Sequence, residues 1–235
     1  MPDRPKDWNV EEVLDPKTGE PHNKYFYKGQ RAQRIPITSE RGKALAAYAL
    51  IERDLRMVRE WIIRLDELNK PEISEGKEGY RITAKSDAEN NLAQGLFVAA
   101  VTFYGKCFSQ AEGRRQKLEK KDVVPKELTD IHEKIMGFRN NFTAHSGIKK
   151  AESAHTVLVL CPDRSVDRAE QKFLWRELVQ AESWILLDDK GETFLGLVDA
   201  VKAAVLKKID ALNDKIFAEE INPHGLDYWY SKEEF

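Results

Sequence analysis

The segment 87–111 constrains this chain most. Leu92, Leu96, Phe97, Ala99, Ala100, Val101, Phe103, Tyr104, Cys107 and Phe108 leave a helix there almost no polar face. Such a helix has to be wrapped by others, because apolar surface is driven out of water. Ser86 or Asp87 marks its start, since both side chains can accept a hydrogen bond from an open N–H of the first turn. A central helix of this kind needs partners with single apolar stripes, and the sequence supplies three.

The first stripe runs through Leu45, Tyr48, Leu55, Val58, Ile62 and Leu65, spaced by three, four or seven. Thr38 or Ser39 is its candidate cap and Pro71 its stop. Gly76, Gly79 and many charges make residues 71–86 read as a loop. The next stripe starts near Pro125, a residue suited to a first helical position, and passes through Leu128, Ile131, Ile135 and Phe138. Gly147 is placed to cap its C-terminus. The last stripe, capped by Thr193, holds Phe194, Leu197, Val198, Val201, Val205, Ile209, Leu212 and Ile216.

Strand signals are shorter. Val10 and Val13 lie before the turn chemistry Asp15-Pro16-Lys17-Thr18-Gly19, and Tyr25-Phe26-Tyr27 after it, so residues 8–30 read as a hairpin. Pro36 keeps residues 31–38 extended. Thr156 to Leu160 is a β-branched and aliphatic run, with a partner segment around Lys172 to Trp184, and Gly191 marks a turn beyond it. The expected fold is mainly α: a bundle of about four main helices with small β-hairpin additions. The expected organisation is an N-terminal hairpin arm (1–38), a helical domain (39–220) with a β insertion near 155–188, and a tail (221–235). The tail's Tyr228-Trp229-Tyr230 is expected to dock on the body.

Composition excludes several function classes. The chain has 38 Lys+Arg against 40 Asp+Glu, so it is not a strongly basic nucleic-acid binder, although a local basic patch remains open. Cys107 and Cys161 are too few and too far apart for a disulfide framework or a cysteine-rich zinc site. A polar N-terminus and the lack of any long apolar run point to a cytoplasmic protein without a membrane span. No P-loop, GxSxG or GxGxxG motif occurs, and no HExxH or cysteine pair, so neither a cofactor nor a metal is expected.

The chemically informative stretch is Gly137-Phe138-Arg139-Asn140-Asn141-Phe142-Thr143-Ala144-His145-Ser146-Gly147. Arg139 and His145 are six residues apart, about 120° around an ideal helix at roughly 100° per residue. One straight helix does not bring both onto one face. They converge if the helix end unwinds, or if a second copy supplies the other half of the site.

This stretch resembles the HEPN superfamily of helical nucleases, common in abortive-infection and toxin–antitoxin systems. Its hallmark is an Arg, often followed by Asn, with a His four to six residues on; Arg139, Asn140 and His145 stand at those positions. The resemblance implies a metal-independent endoribonuclease with a composite site in a homodimer, an RNA substrate and an antitoxin protein as a further partner. It implies that the ribose 2′-OH attacks the adjacent phosphate, leaving a 2′,3′-cyclic phosphate. His145 would move protons, Arg139 would bind the phosphorane oxygens, and Asn140 would orient the phosphate or the imidazole. Where some toxin members carry a Tyr two residues after the His, this chain has Gly147. An upstream acid found in some families has Asp130 and Glu133 as candidates.

Simpler roles also suit these residues. Arg139 can form a surface ion pair, for example with Glu133, and His145 suits the negative end of a helix dipole. His132 has a structural or solvent-facing role as its simplest reading. Arg114, Arg115 and Lys117 are candidate RNA-backbone contacts, or else a solvated loop. The competing function is a non-catalytic helical module that binds a protein partner or a nucleotide.

Overall fold

A computed structural model describes residues 7–14, 18–19, 21–69, 73–76, 79–82, 86–110, 116–144, 152–161, 172–180 and 193–232. It is mainly helical, with a small three-stranded antiparallel sheet. The chain divides into two compact units, 1–46 with 209–235, and 47–208.

Strands β1 (Trp8–Leu14), β2 (Pro21–Tyr27) and β3 (Gln30–Ala32) form the sheet of the first unit, in that order. Lys28 and Gly29 join β2 to β3, both at positive φ (48° and 80°), which matches the twist of a two-residue hairpin. The Trp8 and Tyr27 rings pack 5.2 Å apart across the β1–β2 pair. The expected hairpin is present, with a third strand beyond it; the turn residues 15–17 lie outside the described set.

Helix α1 (Glu40–Asn69) follows, with Ser39 as its cap: Gly42 N–H donates to Ser39 Oγ at 3.0 Å. Residues 71–86 are not simply a loop. Strand β4 (Ile73–Gly76) pairs with β5 (Gly79–Ile82), with Ile73 opposite Ile82 and Gly76 opposite Gly79. Tyr80 and Ile82 hold the strand period there, a signal weaker than the flanking glycines and charges.

Helix α2 (Asp87–Cys107) begins with a full capping box: Ser86 Oγ accepts from Glu89 N–H, and the Glu89 carboxylate accepts from Ser86 N–H. A short helix α3 (Lys120–Val123) and a 3₁₀ turn (Lys126–Leu128) lead into α4 (Thr129–Ala144). Strands β6 (Glu152–Leu160) and β7 (Lys172–Gln180) pair antiparallel, with Thr156 opposite Arg176. Helix α5 (Phe194–Ile216) is capped by Thr193, whose Oγ1 accepts from Gly196 N–H at 2.9 Å. Gly191 and Gly147 lie outside the described residues.

The core of the second unit is the sum of the stripes. Ile51, Leu55 and Val58 of α1, Ala100, Val101 and Tyr104 of α2, Ile131 and Ile135 of α4, and Leu197, Val198, Val201 and Val205 of α5 have no exposed surface. α2 meets each of the other three through an edge-on ring pair: Phe103 with Trp61 at 5.0 Å, Phe97 with Phe138 at 5.7 Å, and Tyr104 with Phe194 at 5.4 Å. Its apolarity is not complete in use, since Leu92 is half exposed near the N-terminal end.

After α5 the chain of the first unit passes through a π turn (Phe217–Ile221) and a 3₁₀ turn (Asn222–His224) into α6 (Gly225–Tyr230). Trp229 Nε1 donates back to Ile221 O at 3.0 Å, and His224 stacks on Tyr228 at 4.5 Å. Gln33 Nε2 donates to Lys232 O at 2.5 Å, and Arg41 reaches Glu219 at 2.5 Å and Glu220 at 3.3 Å. Arm and tail, distant in sequence, thus belong to one unit. No described helix is long and apolar enough to cross a membrane.

Candidate functional site

Arg139 and Asn140 lie toward the C-terminal end of α4. Phe138, one position earlier, faces Phe97 of α2, so the helix end is anchored by an aromatic pair. Asn140 is exposed and Arg139 half-buried. Arg139 is seated against Gly105 of α2: a Cβ at residue 105 would overlap its Cδ and crowd its Cγ and Nε. A glycine inside a helix costs about 1 kcal/mol relative to alanine. At Gly105 that cost makes room for the arginine stem. His145 follows the last helical residue and lies outside the described residues, as do Arg114 and Arg115. The structure therefore locates two of the three candidate catalytic residues.

Lys117, the third candidate RNA contact, pairs with Glu119 at 3.2 Å on the surface. Glu133 is engaged by Lys120, whose hydrogen bond holds the carboxylate below its ordinary range.

His132 is a core residue. It is 4% exposed, with Nδ1 2.8 Å from the Tyr104 hydroxyl and its ring 4.7 Å from Phe108. Burial lowers its pKa, outweighing nearby Glu133, which raises it. Burial also pushes the Tyr104 hydroxyl far above its ordinary range, so it keeps its proton and shares a hydrogen bond with Nδ1 of the imidazole. A histidine enclosed in this way stabilises the α2–α4 contact; solvent-borne substrate does not reach it.

Two residues that matter here do not stand out in the sequence. Gly105 is one, and its only signal is a lone glycine inside an apolar helix. Asp54 is the other. It is fully buried on α1, with Lys106 Nζ 3.2 Å from Oδ2 and Arg53 Nη2 3.5 Å from Oδ1. Its signal is an acid within the apolar stripe, three residues after Ile51 and four before Val58. Lys106 also lies over the Phe103 ring at 4.9 Å and follows Gly105 directly. The partner of a buried charge and the seat of Arg139 are thus consecutive positions of α2. Among the described residues, no group of three or more His, Cys, Asp or Glu side chains could hold a metal ion.

No protein-family model, no curated protein and no solved structure matches this chain.

Proposed function

We propose that the protein is a metal-independent endoribonuclease of the HEPN type, acting in a defence or toxin–antitoxin setting. The four long helices α1, α2, α4 and α5 would correspond to the bundle of that superfamily. The observation that carries the reading is the placement of Arg139-Asn140: a half-buried arginine seated on a glycine of the central helix, beside an exposed amide, near the end of α4. Packing of the stem lowers the entropy lost when a guanidinium fork engages phosphate oxygens.

In this mechanism His145 takes the proton from the ribose 2′-OH as that oxygen bonds to phosphorus. The P–O5′ bond then breaks and the departing oxygen takes a proton from the imidazolium of a His145, leaving a 2′,3′-cyclic phosphate and a 5′-OH. Arg139 stabilises the charge on the phosphorane oxygens and Asn140 orients them. A homodimer that faces its two α4 ends supplies both halves of the site, which answers the 120° separation on one helix. The buried environment of His132 leaves His145 as the motif's proton carrier.

The test uses purified protein, Arg139→Ala and His145→Ala with mixed cellular RNA in EDTA. Wild type cleaves and leaves cyclic-phosphate ends; each variant loses at least about a hundredfold in rate. Equal cleavage by wild type and His145→Ala overturns the mechanism. Folded, dimeric wild type that leaves every RNA intact favours the non-catalytic module.

A further inference from the structure

Asp54 is a charge that neither the Arg-Asn motif nor the apolar core accounts for. It stands in the buried stripe of α1, directly before Leu55, and has no exposed surface. Lys106 Nζ of α2 is 3.2 Å from its Oδ2, and Arg53 Nη2 is 3.5 Å from its Oδ1. Taking a carboxylate out of water is expensive, and a hydrophobic pair of similar volume often holds a fold equally well or better. The Lys106 and Arg53 side chains are 41% and 53% exposed, so water screens part of the attraction. Such a pair is a weak source of stability. What it supplies is geometry, because a buried carboxylate gains most while its cation stays within contact distance.

The geometry it sets is that of the last turn of α2. Lys106 directly follows Gly105, where a Cβ would come within 3.0 Å of Arg139 Cγ and Nε and closer still to Cδ. A seat this tight tolerates little displacement, since contact energies change steeply with distance. Yet it lies where a helix is least able to hold itself. The final carbonyls have no helical partners, and glycine is the poorest helix former after proline. Gly105 O is already shared between Phe108 N–H at 3.1 Å and Ser109 Oγ at 2.9 Å. Neighbouring elements therefore fix this turn. The Phe108 ring packs on His132 at 4.7 Å, and Cys107 O accepts from Leu118 N–H at 2.8 Å. On the side of α1 the hold is Phe103 against Trp61 at 5.0 Å and, three residues on along the same face, Lys106 against Asp54.

We infer that Asp54 is a positioning residue for Arg139. From α1 it holds Lys106, and through Lys106 it fixes the last turn of α2 and keeps Gly105 beneath the Arg139 stem. Without exposed surface, Asp54 does not touch substrate; it acts through α2. The placement of the guanidinium rests on this packing alone, and its consequence for cleavage rests on the nuclease reading. In that reading the guanidinium meets the phosphorane oxygens, where a misplacement of about 1 Å caused far from the chemistry can cost about a hundredfold in rate.

The experiment follows the Nε–H signal of Arg139 by NMR relaxation in the full chain, the signal being assigned by its loss in Arg139→Lys. Asp54→Leu/Lys106→Met removes both charges, keeps the volume, and leaves an apolar stem over Phe103. This double variant unfolds at the temperature of the parent or above it. Its Arg139 order parameter nevertheless falls below about 0.6, the range of a mobile group. Its kcat for RNA cleavage falls at least about tenfold with KM unchanged, as expected when only transition-state binding is lost. Added to Arg139→Ala, the same double change produces no further loss, because the two act as one unit. Asp54→Asn keeps the shape and removes only the charge; it shows the same changes in smaller measure and supplies the answer if the double variant does not fold.

An Arg139 signal as ordered in the folded variants as in the parent overturns the inference. So does a further loss of cleavage in the Arg139→Ala background, which assigns the effect of Asp54 to another part of the molecule. A fall in cleavage that merely tracks the unfolded fraction overturns it as well, being the mark of a purely structural role. If the order of Arg139 depends on Asp54 while wild-type protein cleaves no RNA, the positioning stands and the nuclease reading falls. If wild type cleaves RNA and the order of Arg139 ignores Asp54, the nuclease reading stands and the positioning falls.

Discussion

The two compact units are held together by different physics. The unit 47–208 has a core of side chains without exposed surface, drawn from four helices and centred on Tyr104. In the unit 1–46 with 209–235, Ile216 is the single buried hydrophobic side chain among the described residues. That unit relies on strand pairing, a positive-φ turn, ring stacking and ion pairs at the surface. A residue's worth therefore depends on the unit that holds it: volume counts in one, and hydrogen bonding and charge in the other. The candidate site follows the same division: Arg139, in the packed unit, is positioned by its stem against Gly105.

The sharpest way to break this contrast is to empty one aromatic position in each unit. Tyr104→Ala removes the largest fully buried side chain and the partner of His132, and is expected to cost about 4 kcal/mol in urea unfolding. Trp8→Ala removes a ring that is 42% exposed and is expected to cost less than about 1.5 kcal/mol. Equal losses would mean that the sheet is held by packing after all.

Two glycines of α2 probe the Arg139 seat. Gly105→Ala drives a methyl into the Arg139 stem and is expected to cost about 1–3 kcal/mol, with a fall in any RNA cleavage. Gly95→Ala meets nothing within 4 Å and is expected to stabilise by up to about 1 kcal/mol. Thermal unfolding of both variants checks the pair. A neutral Gly105→Ala with normal cleavage would show that the seat does not position the arginine.

Acidity provides a smaller effect confined to the packed unit. Burial lowers the His132 pKa in the folded state, while the unfolded chain titrates near 6.5. As pH falls below about 6.5, the unfolded state takes up a proton that the folded state refuses. Stability is full above that value and is lost toward the folded pKa, by at most about 1.4 kcal/mol per pH unit. Unfolding followed between pH 7.5 and 5 in wild type and His132→Phe isolates this contribution; identical slopes would mean that His132 carries none of it.

The smallest effect belongs to the open unit. Arg41→Ala breaks the ion pairs to Glu219 and Glu220 and is expected to cost under about 1 kcal/mol, with most of that cost vanishing at 1 M salt. A salt-independent cost would point to packing of the arginine stem instead.

The helices are legible in the sequence because their stripes are long and their caps local. Ser39, Ser86 and Thr193 are read from neighbours three residues away, and each makes its cap bond. The β6–β7 pair is legible from its β-branched run. The β4–β5 pair is not, because two four-residue strands between glycines carry little periodicity. Of the candidate site, the resemblance of the stretch 137–147 to a known motif singles out Arg139, Asn140 and His145, of which the first two lie among the described residues. Gly105 and Asp54 do not stand out, since a glycine or an acid in a helix gains meaning from what lies opposite.

The sequence by itself determined a mainly helical chain, the positions of its capped helices, and an Arg-Asn pair near the end of one of them. These follow from interactions within a turn or two of helix, which a linear string records. Only the tertiary structure decided that His132 is enclosed by Tyr104 and Phe108, that Asp54 meets Lys106, and that Gly105 seats Arg139. Those outcomes depend on which distant segments share a neighbourhood, and burial, pairing and charge acquire their energies only there.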